Sequence, residues 1–248
     1  MASCRLSLTG SAGSASGARL RRLRGRARAG GGIVPTQIYR TRDGRRVPSV
    51  TTVIGGCQHC GGLVRAANNL GLDGVDTRDE WGAKATAGTV AHAWVQDYLS
   101  ARDPTPYPGL NPDIRAAAEQ AYQAWLAWWA DQRIQIHGTE AALVHDEYEF
   151  GGCPDAWGLD QDGRICLLDW KTGKYRTDHL IQLAGYVLLL RHGLGFEVDG
   201  GVHLGSFSRT APVEFSHHYW QRVPYAATRA FLSMLDVYRA RRDLEGKR

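Results

Sequence analysis

The chain has 248 residues, 43% hydrophobic and 22% charged, a globular composition long enough for one domain with a sizeable core. Its longest apolar stretches, Ala124–Ala130 and Tyr186–Leu190, fall far short of a membrane span, so a transmembrane role is excluded and a soluble, cytoplasmic protein with no membrane partner is expected. The formal charge of +5 is unevenly placed: residues 1–32 hold seven arginines and no acid, leaving −2 for the remainder.

Residues 1–32 read as a disordered basic tail. Three readings compete: an Arg- and Ser-rich mitochondrial targeting peptide, an electrostatic nucleic-acid arm, or residues upstream of the true start. The last is preferred, because nothing in the tail carries a period or a core; residues 33–248 are taken as the domain. From about Gln37 a short extended pair around Tyr39 and Val47 brackets Asp43-Gly44, and Ser49 caps a helix through Ile54. Cys57-Gln-His-Cys60 has the spacing of half a zinc knuckle, but no second pair lies nearby, so the five cysteines are read as reduced thiols. Residues 62–82 look helical and end near Trp81-Gly82. A further helix from Ala85 to Ala101 carries Gly88, His92 and Gln96 along one face. Asn111-Pro112 is a cap with proline at the first helical position, opening a helix to about Arg133 whose Tyr122, Trp125, Trp128 and Trp129 read as core.

Thr139–His145 is expected to be the first sheet strand, followed by a hairpin from Tyr148 to Lys171. Gln161-Asp162-Gly163 suits a three-residue loop with Gly163 left-handed, closing the ladder at Asp160 and Arg164. Counting outward sets Leu159 across from Ile165, Trp157 across from Leu167, and Asp155 across from Asp169, with Lys171 two residues further on the same face. Two facing carboxylates repel unless a cation lies between them, and hard oxygen ligands select Mg²⁺ or Mn²⁺. Such an ion lowers the pKa of bound water and neutralises charge on a phosphodiester, while Lys171 is placed to orient that water. A surface hairpin with merely solvated acids is the bland alternative. A helix from Thr177 to His192 follows, with Gln182 and Tyr186 one turn apart and placed to point back at the carboxylates. Gly201–Phe207, a short partner Val213–His217, and a closing helix Tyr225–Leu244 with Arg229, Arg239, Arg241 and Arg242 outward complete an α/β fold, a mixed central sheet flanked by helices.

Gly152-Cys-Pro-Asp155, Asp169-Trp-Lys171 and Gln182-x-x-x-Tyr186 resemble, in order and spacing, the RecB-like exonuclease branch of the PD-(D/E)xK nuclease superfamily. That branch includes phage nucleases and mitochondrial genome maintenance exonucleases. Gly88-Thr89-Val90-Ala91-His92 looks like its upstream metal-binding helix, and Pro48-Ser49-Val50-Thr51-Thr52-Val53 resembles its usual opening, so the likeness covers about residues 37–190. It implies a restriction-endonuclease-like core and a divalent-metal-dependent deoxyribonuclease. The implied activity is exonucleolytic, in recombination, repair or phage DNA metabolism, on single-stranded DNA or free ends, with recombination or replication proteins as partners. In that likeness His92, Asp155, Asp169 and the Trp170 carbonyl bind metal. Lys171 positions the attacking water, and Gln182 with Tyr186 steady the scissile phosphate or Lys171. Glu140 sits where the branch often has a glutamate, in a structural or catalytic role. Some relatives hold an iron–sulfur cluster with cysteines after the core; this chain has none after Cys166, so no cluster is expected. The alternatives are a structure-specific endonuclease, which would share every site residue, and a non-cleaving nucleic-acid-binding module on the same fold.

Overall fold

A computed structural model describes residues 37–57, 68–69, 71–74, 76–207 and 215–246, without the side chains of 77–86. The elements in chain order are β1 (Tyr39–Arg40), β2 (Arg46–Val47), α1 (Val50–Cys57), α2 (Thr77–Leu99), α3 (Pro112–Trp129), β3 (Gln135–Thr139), β4 (Leu143–His145), β5 (Phe150–Gly152), β6 (Ala156–Leu159), β7 (Ile165–Thr172), α4 (Thr177–Leu194), β8 (Gly201–Phe207), β9 (Phe215–Trp220) and α5 (Tyr225–Leu244). No described helix is long and apolar enough to cross a membrane.

The central sheet has five strands in the order β3-β6-β7-β8-β9. Only β7 and β8 run parallel, joined by the α4 crossover; the other pairs are antiparallel. β7 is covered on both faces, so it reads as an almost unbroken apolar run, and its alternation distributes the core. Leu167 points with Trp157, Val202 and Leu204 into a layer closed by α1, α4 and α5, through Val50, Leu189 and Phe231. Cys166, Leu168 and Trp170 point the other way, onto Trp94, Val95 and Trp125 of α2 and α3. Each fully buried Leu or Phe contributes about 1.5–3 kcal/mol, and these two layers fix β7 from above and below. Of the α3 aromatics Trp125 is fully buried and Tyr122, Trp128 and Trp129 pack half-buried against that layer; Trp125 and Trp128 each meet the Trp170 ring edge-on at 5.6 Å, bracing the residue between Asp169 and Lys171.

Several boundaries differ from the sequence reading, each for a local reason. Thr139–His145 is not one strand: Glu140 has φ 44°, which turns the chain, so β3 ends at Thr139 and β4 pairs with β5 in a separate ribbon. The expected long hairpin therefore splits as well, since Phe150–Gly152 belongs to that ribbon and only β6 and β7 form the hairpin. The break expected between Gly82 and Ala85 is absent; Thr77–Leu99 is a single helix, preceded by a turn at Asp73-Gly74. Residues 62–67, 70 and 75 of the expected 62–82 helix, Cys60, Val213 and the tail lie outside the described residues. The β8 partner runs Phe215–Trp220 rather than stopping at His217, and α3 stops at Trp129. The arginines of α5 are not all simply solvated: Arg241 Nη1 donates to the Gly56 carbonyl at 2.7 Å and Arg239 to that of Tyr148, pinning α5 to the last turn of α1 and to the turn before β5.

Caps and turns follow the residues that encode them. Ser49 Oγ accepts from Thr52 N at 3.0 Å, and Asn111 Oδ1 from Asp113 N at 2.8 Å. Gly163 has φ 77° and closes the three-residue loop, with Asp160 N donating to the Arg164 carbonyl at 2.9 Å.

Candidate active site

The hairpin register is as counted from the sequence: Trp157 faces Leu167 and Leu159 faces Ile165. Asp155 lies one residue before β6, so it is not a ladder residue opposite Asp169. Its side chain caps the hairpin instead, Oδ2 accepting from Trp170 N at 2.7 Å. Alternation along β7 puts Asp169 and Lys171 on the α4 side of the sheet, and the two form an ion pair. Asp169 is fully buried and Asp155 nearly so, at 0% and 8% exposure.

His92 arrives from α2. A Cβ on Gly88 would stand 2.3 Å from Thr172 Cγ2, so only glycine lets this helix lie so close to the end of β7. One turn on, His92 Nε2 sits 3.4 Å from Asp155 Oδ1; the ring is partly exposed while that nitrogen is buried. Gly88→Val is expected to push α2 off the strand, destabilising the protein by about 1–3 kcal/mol and displacing His92. Adding Thr172→Ser, which removes the clashing methyl, should recover part of the loss in a thermal melt; additive losses in the double variant would refute the contact.

The charges of the cluster are tied together. Asp155 stands beside His92, and this charge raises His92 to about 9 against its burial. Burial pushes Asp155 up, but the His92 charge and hydrogen bond, Lys171 and the Trp170 N–H together outweigh it and hold the carboxyl at about 2. Asp169 goes the other way: burial raises it, Lys171 opposes, and the Asp155 charge adds to the rise. Lys171 is lowered by burial yet raised overall by the two carboxylates. Glu140 is raised, mainly by burial, and feels both His92 and Asp155; its N–H donates to the Asp155 carbonyl at 3.1 Å. Its left-handed backbone costs about 1–3 kcal/mol, a strain that the surrounding fold sustains.

Gln182 and Tyr186 are buried on α4, but they do not reach the carboxylates with hydrogen bonds. Gln182 Nε2 donates to Tyr186 Oη at 2.7 Å. Burial, then Asp169 and Asp155, push the Tyr186 phenol well above its ordinary value, so it remains a neutral donor facing the acids. For Trp170 the recorded contact is through its N–H rather than the carbonyl that the resemblance implies. Sequence reasoning gave no geometry for the Asp155–Trp170 bond, because it forms only where the chain leaves the ladder.

The donor set suits a hard divalent cation. Among the described residues no three His, Cys, Asp or Glu side chains converge as a ready-made metal cluster. However, Asp169 is fully buried, and while Lys171 pairs with its Oδ2, its Oδ1 lacks a hydrogen-bond donor. An orphaned buried carboxylate oxygen beside a second carboxylate and an imidazole is the chemistry that Mg²⁺ or Mn²⁺ binds.

The chain matches the family model of the PD-(D/E)XK nuclease superfamily over residues 65–221, which contain His92, Asp155, Asp169, Lys171, Gln182 and Tyr186. No curated protein matches it. Similar solved structures include a candidate exonuclease from Eubacterium rectale, at 12% identity and TM-score 0.40 over 65% of this chain and 69% of that one. SSO0001 aligns at 13% identity and TM-score 0.35 over 89% and 81% of the two chains. LHK-Exo in complex with dAMP aligns at 15% and 0.36 over 67% and 93%. The family match spans more than half of the 248 residues and covers the strand and helices that assemble the charged cluster, so the chain belongs to the PD-(D/E)XK nuclease superfamily.

Proposed function

We propose that this nuclease is a divalent-metal-dependent deoxyribonuclease, an exonuclease acting on free DNA ends in recombination, repair or phage DNA metabolism. The observation that carries the metal-dependent reading is the buried Asp169–Lys171 pair set beside Asp155 and His92 at the end of β7. A bound Mg²⁺ or Mn²⁺ would be held by Asp155, Asp169 and His92, and would supply an acidified water and charge neutralisation at the phosphodiester. The chain's own groups do the rest. Lys171, cationic and only 20% exposed, places fixed positive charge where the phosphate gains negative charge, in a site too dry to screen it. Tyr186, held neutral and oriented by Gln182, faces the carboxylates as a hydrogen-bond donor. Trp170 N–H locks the Asp155 rotamer, so one of its oxygens stays free to bind. The intact acids and lysine favour cleavage over a binding module that has lost it; restriction to the cytoplasm and residues 33–248 acting as one domain are part of the same proposal.

Purified protein with Mg²⁺ or Mn²⁺ is expected to shorten end-labelled linear DNA while sparing a covalently closed circle. Nicking of the circle would replace the exonuclease reading with an endonuclease, and inertness on every DNA would sink both. His92→Ala should weaken Mn²⁺ binding in a calorimetric titration by roughly tenfold or more, with Mg²⁺ less affected, since an imidazole ligand favours the softer ion. Identical titrations would return His92 to a helical residue that merely compensates Asp155.

A further inference from the structure

The β4–β5 ribbon and the end of α4 meet at two histidines that lie outside the charged cluster. His145, the last residue of β4, is buried at 6% exposure. Its ring lies flat on that of His192, in the last turn of α4, with centroids 3.9 Å apart and planes inclined by 14°. Each imidazole accepts a hydrogen bond from the turn that closes the ribbon: Asp146 N donates to His192 Nε2 and Tyr148 N to His145 Nδ1, both at 3.2 Å. Those bonds need a lone pair on each accepting nitrogen, so His192 carries its proton on Nδ1, His145 carries its own on Nε2, and both rings are neutral. The stack fastens the tip of the ribbon to α4. Behind the tip the ribbon lies close along the same helix, since a Cβ on Gly193 would stand 3.4 Å from Leu143 Cδ2 and one on Gly152 2.8 Å from Leu189 Cδ1.

A proton on either accepting nitrogen destroys the lone pair that holds a turn N–H. A second proton would set two cations face to face at 3.9 Å, so the rings titrate as one unit. The charges packed around them are largely committed elsewhere. Asp146 Oδ2 stands 3.6 Å from His192 Nε2, but it also pairs with Arg42 at 3.1 Å, and the Arg42 N–H is the first cause that holds this carboxyl below its ordinary range. Glu149 pairs with Arg45, and on α4 Arg191 pairs with Glu197 at 2.8 Å. From α5, Arg239 reaches the Tyr148 carbonyl. Exposed Glu147 and Asp146 favour a charged His145, yet burial, then His192, outweigh them and hold that ring at about 4.

We propose that the His145–His192 stack is an acid-released latch: one proton on the pair frees the Asp146–Glu149 turn from the end of α4 and loosens the β4–β5 ribbon. Glu140 stands three residues before this ribbon and Asp155 three residues after it, so the latch fastens the segment that leaves one acid and returns to the other. The inference goes beyond the nuclease reading and does not depend on it.

The sign follows from the two states of the turn. His145 is held at about 4 in the closed turn and regains its ordinary 6.5 in the open one, so opening becomes easier as pH falls from 6.5 towards 4. The open fraction at pH 5 is then roughly 20-fold that at pH 7.5. Amide hydrogen exchange of the full chain, read by NMR and converted to protection factors at these two pH values, tests this directly. The Asp146 and Tyr148 amides are expected to lose roughly 20-fold of their protection, and to stay far less protected than the amides of β7 at both pH values. His145→Asn, whose side-chain oxygen can accept from Tyr148 N without titrating, should hold the Tyr148 protection constant within about threefold over the same interval. Unchanged protection of both amides in the wild type would overturn the latch. So would protection of the turn equal to that of β7, which would mean that the turn opens only with the whole fold. An undiminished loss at Tyr148 in His145→Asn would also overturn it, and if that variant fails to fold by circular dichroism, the two wild-type outcomes decide.

Discussion

Lys171→Ala and Asp169→Asn are each expected to lower metal-dependent cleavage by on the order of 10³-fold while leaving the fold intact. Removing one preorganised charge that acts in the transition state costs about that much, and neither side chain is asked to fill the core. The stability side is testable separately, in the absence of metal. Asp169 is raised from an ordinary 3.8, mainly by burial, so its ionised form is held at a cost that Lys171 only partly offsets. A carboxyl with a raised folded-state pKa stabilises the protein fully below its unfolded value, and that contribution is lost as pH rises through the folded value. Wild-type protein in EDTA should therefore lose melting temperature over that rise relative to Asp169→Asn, which carries no proton to lose. The Asn variant should melt at or above wild type near neutral pH, and for a reason beyond relief of repulsion from Asp155, since burial is the larger cause. A melting temperature for Asp169→Asn well below wild type across the whole range would show the Lys171 pair to be structural rather than catalytic.

Asp155→Ala is expected to do both kinds of damage. Its Oδ2 accepts from Trp170 N and its Oδ1 faces His92, so truncation leaves a buried N–H unsatisfied and the imidazole without its counter-charge. Removing one partner of a buried pair costs about 3–5 kcal/mol, and the lost ligand should also abolish cleavage. Asp155→Asn separates the effects: the amide oxygen can still accept from Trp170 N, so stability should recover by most of that amount while cleavage stays absent. Equal destabilisation by Ala and Asn in urea melts would mean that the Trp170 bond contributes little.

The chemistry of this site was written in short-range sequence patterns, and those are what the structure reproduces. Gly163 in a three-residue loop fixes a register, and the register fixes that Asp169 and Lys171 share a face. The caps at Ser49 and Asn111 and the helix Tyr225–Leu244 follow from residues adjacent in the chain, because turn and cap preferences are decided within a few residues. The motifs that resemble a RecB-like nuclease are equally local, so the α/β class and the candidate acids and lysine were legible before any fold.

Tertiary structure decided what depends on residues far apart. A strand was expected through Thr139–His145, but Glu140 is held left-handed where its N–H meets the Asp155 carbonyl, an interaction between chain segments that no local preference encodes. Gln182 and Tyr186 were expected to point back at the carboxylates; that they also bond each other, on a helix packed against Val50, Leu189 and Phe231, is a matter of packing depth that spacing does not give. The protonation of the acids could not be read from spacing either. Asp155 and Asp169 are chemically alike and close together, yet one is held near 2 and the other raised. The difference comes from His92, delivered by a helix that begins 78 residues before the first acid, and from the burial that the two core layers impose on β7. Sequence thus set which groups are present and which face of the strand they share; long-range packing set their charges.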